Sequence, residues 1–309
     1  MFIEILLSTY NGEAYLRQQL DSILAQTYQD FRLTVRDDGS TDGTWDILAE
    51  YAAHHPDRIT LMPADGNRGY PDCFWYLLEH AGEADLYAFC DQDDVWDTEK
   101  LANCAEKCRG ENPENPLLYV HDYRVADGEL NIYDEYHIRK WGYREDDPYK
   151  LLYFVMMSGF AMVLNARLRS RILQDDLYRK NIPHDRWIFW SGFFTGKILC
   201  DERMAVTYRR HDRTVTVTGK GNAVFLRDWW KNEVWGTRMN RWEETGLLFA
   251  DLYSTEMERK QPGIIEEWRL LYKNKKGAGA YLRRLMFPKR LKPTIAGEIA
   301  LRICFLLNK

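Results

Sequence analysis

Nowhere do the 309 residues contain the roughly 18 to 20 uninterrupted apolar positions that a membrane-crossing helix needs, which disfavours an integral membrane protein. The opening run Met1-Phe2-Ile3-Glu4-Ile5-Leu6-Leu7 is too short, and lacks the basic leader, for a secretory signal; it reads as a first buried strand. Low-complexity tracts and internal repeats are missing as well. Cysteine is sparse, and only Cys104 and Cys108 among the six lie close together. Without a second close pair there is no zinc site to complete, and reduced thiols of a cytosolic protein are expected. Neither G-x-x-x-x-G-K-S/T nor G-x-G-x-x-G follows the first strand, which removes most of the case for an ATPase or an NAD dehydrogenase. An excess of positive charge is missing too: the net charge is −5, unlike a nucleic-acid channel.

What is present is a folded composition, 45% apolar and 29% charged, and an alternation of strand and helix through the first half. Residues 3–8 read as a buried strand ended by Tyr10-Asn11-Gly12, and residues 13–25 place Leu16, Leu20 and Leu24 on one helical face. A second strand over 31–35 enters Arg36-Asp37-Asp38-Gly39-Ser40-Thr41-Asp42-Gly43-Thr44. There glycines supply unusual backbone angles, and Thr41 or Asp42 can cap a helix reaching about Tyr51. A short strand over 58–62, a helix over 71–80 and a fourth strand over 86–90 follow. This order predicts an α/β fold whose mainly parallel sheet carries helices on both faces. Ligands of such sheets bind beyond the carboxyl ends of the strands, where residues 8–11, 37–42 and 91–94 all fall.

The last of these loops, Cys90-Asp91-Gln92-Asp93-Asp94-Val95-Trp96, is the most informative. Asp91 and Asp93 alternate directly after a buried strand, so in an extended chain both carboxylates face one pocket. A hard divalent cation held there could in turn hold a diphosphate. Taken singly, each loop also has a plainer use, as a helix cap at Asp37 and Asp38 or as a solvated acidic turn after Cys90.

In their order and spacing, Ser8-Thr9-Tyr10-Asn11-Gly12, Arg36 to Thr44, Asn67-Arg68-Gly69 and Cys90 to Trp96 resemble the family 2 glycosyltransferases of GT-A fold. The nearest likeness is to the rhamnosyltransferase-like branch of bacterial cell-wall and surface polysaccharide synthesis. It extends to Met157-Ser158-Gly159-Phe160, His184-Asp185-Arg186-Trp187 and Tyr208-Arg209-Arg210-His211, and so covers roughly residues 1 to 215.

The resemblance implies an inverting, metal-dependent transfer of a sugar from a nucleoside-diphosphate donor to an acceptor hydroxyl. The best match is L-rhamnose from dTDP-L-rhamnose, with UDP-galactose or UDP-glucose as alternative donors. It places Thr9 and Asp38 on the nucleotide, Asp91 near the ribose and the metal, Asp93 on Mg2+ or Mn2+ directly, and His211 on the diphosphate or the metal. Arg210 or Arg209 adds charge beside the leaving group. Asp185 is the implied base, a role that direct displacement requires on the face opposite the diphosphate; an N-cap is its plainer use. His184 is expected to orient or pack beside that acid. Gly159 and Trp141 are expected on the acceptor side, and residues 212–216 as a loop closing over the donor. A nucleotide-sugar hydrolase or pyrophosphorylase and a noncatalytic carbohydrate-binding protein are the competing classes.

These motifs define a catalytic region over 1–221 and a helical C-terminal extension over 222–309. From Arg269 onward eleven Lys and Arg face the single acid Glu298. Cations there interleave with Leu282, Leu285, Met286, Phe287 and Leu291, as an interfacial segment requires, and Pro288 and Pro293 rule out one long helix. The expectation is a cytoplasmic enzyme, peripheral on the anionic inner face of the membrane, with a glycan or lipid-linked acceptor and no nucleic-acid partner. The alternative use of this stripe is packing on the catalytic region or in a homo-oligomer.

Overall fold

The structure, a computed structural model, describes residues 1–63, 65–174, 182–211, 238–272 and 278–307. It divides into two compact units, Met1–Ile138 with Met157–His211, and Arg139–Met156 with Asp212–Lys309. Arg139–Met156 thus groups with the C-terminal helices although it interrupts the first unit in sequence.

The first unit opens with β1 (Ile3–Thr9), α1 (Leu16–Leu24), β2 (Phe31–Asp37), α2 (Thr44–His54), β3 (Ile59–Leu61), α3 (Asp72–His80) and β4 (Leu86–Cys90). The strands lie parallel in the order β3-β2-β1-β4. Every residue of β1 and β4 is buried, which accounts for their near-continuous apolar runs. The one charged residue of these strands, Glu4, sits opposite Arg32 on β2 and accepts from its Nη2 at 2.6 Å, so the buried charge is paired. On α1, Leu16 and Leu20 turn inward as the periodicity predicts, but Ile23 rather than Leu24 completes the buried face.

Beyond β4 come β5 (Val95–Trp96), α4 (Lys100–Cys108), β6 (Leu117–Ala126), β7 (Ile132–Tyr136), β8 (Met162–Asn165), α5 (Ala166–Leu173), α6 (His184–Thr195) and β9 (Lys197–Arg209). β8 inserts antiparallel between β4 and β6, β9 runs parallel to β6, and β5 closes the far edge against β9. The result is a GT-A type α/β fold with a curled, helix-flanked sheet. β5 and β9 bring residues 95 and 96 beside 206 and 207, so the acidic loop after β4 meets the end of β9.

Among the described residues of the second unit are α7 (Arg238–Leu252), α8 (Ser254–Lys260), α9 (Ile264–Tyr272), α10 (Ala278–Leu285) and α11 (Ile295–Leu307). Helix α10 ends before Pro288 and α11 begins after Pro293, as the prolines predict. A buried Arg284–Glu243 ion pair ties α10 to α7, and the edge-to-face contact of Tyr153 with Phe305 at 5.4 Å joins the 139–156 segment to α11. The Arg302 side chain of α11 donates to Leu285 O, Phe287 O and Lys289 O, satisfying carbonyls that the end of α10 leaves open.

Candidate active site

The three strand-end loops meet as predicted. Gln92 acts as an extra strand rung: its Oε1 accepts from Tyr10 N at 2.8 Å, and its Nε2 donates to Tyr10 O at 3.0 Å. Asn11, in the left-handed region at φ 48°, donates from its backbone to Ser40 Oγ and accepts from Thr41 N, each at 2.8 Å. Thr9 is buried, and its hydroxyl donates to Asp37 Oδ1 at 2.9 Å, while Asp37 Oδ2 accepts from Ser40 N. Asp37 therefore shapes its own loop. Asp42, not Thr41, meets the helix start, accepting from Thr44 N at 3.1 Å. Of the two glycines in this loop, Gly39 takes a left-handed angle (φ 82°) and Gly43 does not.

Asp38 is buried at 3% exposure and accepts from Arg68 N at 2.8 Å, from Gly69 N at 2.7 Å and from the buried Arg36 guanidinium. It therefore moulds the 65–69 loop. Arg68, whose guanidinium lies 4.0 Å over the Tyr76 ring, flanks the same corner.

At the acidic loop, Asp93 Oδ2 lies 2.8 Å from His211 Nε2, and both side chains are mostly buried. Asp91 and Asp94 crowd against Asp93. Burial first, then the negative charge of Asp93 and of Asp185, holds the Asp91 carboxyl up to about 7. Burial, Asp93 and Asp91 push Asp94 well above the ordinary carboxylate range. Such uncompensated carboxylates are what a divalent cation would relieve. Among the described residues no group of three or more His, Cys, Asp or Glu is arranged to hold a metal ion by itself. Asp93 and His211, 2.8 Å apart, offer the one or two protein groups that magnesium-type sites use beside substrate phosphates and water. The residues present therefore fit a cation shared with a diphosphate.

The two arginines predicted beside the leaving group part company. Arg209 is buried and bound to protein: Nε donates to Asp93 O at 2.8 Å, Nη1 to Gly128 O at 2.7 Å, and Nη2 to Gln18. Its backbone N–H also reaches Asp94 Oδ1. Arg210 hangs from the strand end, its N–H on Ala126 O and its guanidinium 5.5 Å over Tyr208. Residues 212–216, expected to close over the donor, lie outside the described residues.

Asp185 occupies the first turn of α6, where its Oδ1 accepts from Arg186 N at 2.7 Å. Burial raises its pKa. His184 beside it is enclosed by rings, stacked on Phe74 at 4.4 Å and flanked by Phe89, Tyr70 and Trp75. Burial lowers its pKa to about 3, so it is a neutral packing group. Gly159 supports it closely: a methyl group there would stand 2.3 Å from His184 Nε2. Trp141 belongs to the second unit, where it stacks on Phe154.

Two groups escaped sequence reasoning. Tyr70 is half exposed and stands edge-on to His184, ring centres 5.8 Å apart, next to the base candidate. Only its place next to Asn67-Arg68-Gly69 could have pointed to it. Lys100 is fully buried; its Nζ donates to Phe160 O and meets His121 Nε2, both at 2.7 Å, and lies 4.2 Å from the Trp96 ring. It straps the acidic loop to the Gly159 segment. No signal in the sequence separates it from a surface lysine.

Comparison with known proteins agrees with this geometry. Residues 4–170 match the family model described as "Glycosyl transferase family 2". An uncharacterized glycosyltransferase of Nostoc sp. is 28% identical over 68% of this chain and 65% of its own length. A dTDP-rhamnosyl transferase of Shigella flexneri is 33% identical over 32% of this chain and 36% of its own. The match thus spans less than two thirds of the length of either relative. Among solved structures, S. aureus TarS 1–349 in complex with UDP-GlcNAc superposes with a TM-score of 0.57 at 15% identity, covering 93% of this chain and 79% of that one.

Proposed function

The chain belongs to glycosyl transferase family 2, and from that premise we propose that it is an inverting transferase that moves a sugar from a nucleoside diphosphate to an acceptor hydroxyl in polysaccharide synthesis. The observation that supports this reading is the convergence of the loops after β1, β2 and β4, with Asp93 Oδ2 2.8 Å from His211 Nε2 where they meet. The donor we assign is dTDP-L-rhamnose, supported by the likeness to the rhamnosyl transferase; a UDP-hexose is the second candidate.

The loops after β1 and β2 cradle the nucleotide, with Thr9 in the floor and Asp38 fixing the corner for the base. Asp93 and His211 would hold Mg2+ or Mn2+, with Asp91 toward the ribose and Arg210 toward the phosphates. When bound, the cation neutralises the departing diphosphate. Asp185 takes the proton of the attacking hydroxyl through its second oxygen, because Oδ1 is engaged by Arg186 N. A raised pKa makes that carboxylate a better base toward an alcohol. His184 and Gly159 fix the wall behind it, and Trp141 is assigned to the acceptor side.

Residues 1–221 form the catalytic region of this proposal and 222–309 its helical extension. A glycan carried on a lipid would place the enzyme on the inner face of the cell membrane. Screening dTDP- and UDP-linked sugars for Mn2+-dependent release of nucleoside diphosphate tests the assignment. Turnover of dTDP-L-rhamnose above the UDP-hexoses supports it, and exclusive use of a purine-linked donor overturns it.

A further inference from the structure

Helix α11 is apolar on both sides. Leu301, Cys304 and Phe305 pack inward, whereas Ile295, Ile299, Ile303, Leu306 and Leu307 are 71%, 57%, 40%, 50% and 46% exposed. At 100° per residue the exposed set spans one continuous stripe opposite the buried one. A helix this apolar all round is normally enclosed, and a stripe of this kind marks an interaction surface. At 13 residues it is about 20 Å long, too short to cross a hydrocarbon core of about 30 Å.

The surroundings of the stripe are cationic. Between residues 278 and 307 six Lys and Arg face one acid, Glu298. Glu298 is already engaged by Arg302 Nε and by the backbone N–H groups of Leu291 and Lys292. Arg283, Lys289 and Arg290 are exposed, as are Leu282 and Met286 on and just beyond α10. The Arg302 contacts to the carbonyls of 285, 287 and 289 hold this turn against α11. Apolar groups and exposed cations are thus presented together on one braced helical pair.

We infer that this face, the α11 stripe with the cations of residues 283–290, is a docking surface for an anionic lipid bilayer, on which α11 lies in the plane of the interface. Charge decides between the two occupants. A second copy paired symmetrically through the stripe would add a second set of Arg283, Lys289 and Arg290 to the same surface, while Glu298, the one acid of residues 278–307, is already engaged. Anionic headgroups complement the same cations while the isoleucines enter the acyl boundary. The inference rests on the proposed membrane-side location for its purpose, but its test requires no substrate.

The test is flotation of the full chain with vesicles of phosphatidylglycerol and phosphatidylcholine, against vesicles of phosphatidylcholine alone. The variants are Ile295→Gln/Ile299→Gln/Leu306→Gln and Lys289→Gln/Arg290→Gln, all at exposed positions, with the oligomeric state measured by light scattering without lipid. The expected result is a monomer that binds the anionic vesicles. The apolar variant should lose most of this binding, and the charge variant should weaken it by roughly fivefold per cation removed. Absence of wild-type binding at low salt, equal binding by the apolar variant, or a dimer that this variant dissolves would each overturn the inference. Donor hydrolysis in solution, unchanged in both variants, keeps a failure of this surface separate from a failure of the transferase reading.

Discussion

Replacing Gly159 by alanine should damage catalysis without touching donor binding. The added methyl would approach His184 Nε2 to 2.3 Å and Cε1 and Cδ2 to 3.2 and 3.3 Å, so the ring has to move. It cannot swing freely, because Phe74 stacks on it and Phe89, Tyr70 and Trp75 close its other sides. Overpacking of an enclosed site costs about 1–3 kcal/mol, which corresponds to a melting temperature lowered by about 2–12 °C in a domain of this size. His184 begins α6 and Asp185 is the next residue, so displacement reaches the base directly. A shift near 1 Å at a reacting group costs up to about 10²-fold in turnover. The assay is transfer under conditions where chemistry limits the rate, beside thermal melting and calorimetric titration with nucleoside diphosphate. In a His184→Ala background the same methyl should cost at least about 1 kcal/mol less, since the atoms it strikes are gone. Wild-type melting and turnover in Gly159→Ala, or donor affinity lost in step with turnover, would refute the reasoning.

Asp185→Asn should retain nucleotide affinity and lose about 10²- to 10⁴-fold in transfer, and full transfer by that protein removes it as the base. Asp93→Ala should abolish the gain in nucleoside-diphosphate affinity that Mn2+ gives, so a calorimetric titration unchanged by the substitution excludes it as a ligand. The pH dependence follows from Asp91. Its carboxyl, held up to about 7, binds a proton more tightly in the folded chain than in the unfolded one, so its stabilising contribution is full below the ordinary carboxylate pKa and is lost as pH rises toward 7. Apoprotein melting should therefore fall between about pH 4 and 7, less steeply in Asp91→Asn, and Mn2+ with nucleoside diphosphate should offset the fall in wild type; identical profiles for the two proteins would contradict the assignment.

The parallel half of the fold was legible because its signals are local. The fourth strand, Leu86–Cys90, lies where its apolar run predicts, and each loop is announced by residues within a few positions of the strand that carries it. The remainder depends on partners far apart in sequence. β6 carries His121 and Asp122 in its buried pattern, and nothing nearby reveals that Lys100 approaches His121 or that Asp122 accepts from Ile138 N. Arg36, and Glu4 within its buried strand, likewise give no sign of their partners until Asp38, Asp65 and Arg32 are seen beside them. At the candidate site, motif order brought Asp91, Asp93 and Asp185 forward. It could not show that Arg209 is spent on backbone carbonyls or that Tyr70 stands edge-on to His184.

The pairing of Gln92 with Tyr10 divides the freedom to vary very unequally between two positions. Only the main chain of residue 10 takes part, and its side chain is half exposed, so that site should accept almost any residue with an N–H and reject proline. Residue 92 must supply one acceptor and one donor at a fixed reach. Glutamate would turn the donating end into a second acceptor against Tyr10 O, and asparagine would fall a methylene short. Across diverging copies of this gene, the conspicuous aromatic would drift while the plain amide stayed.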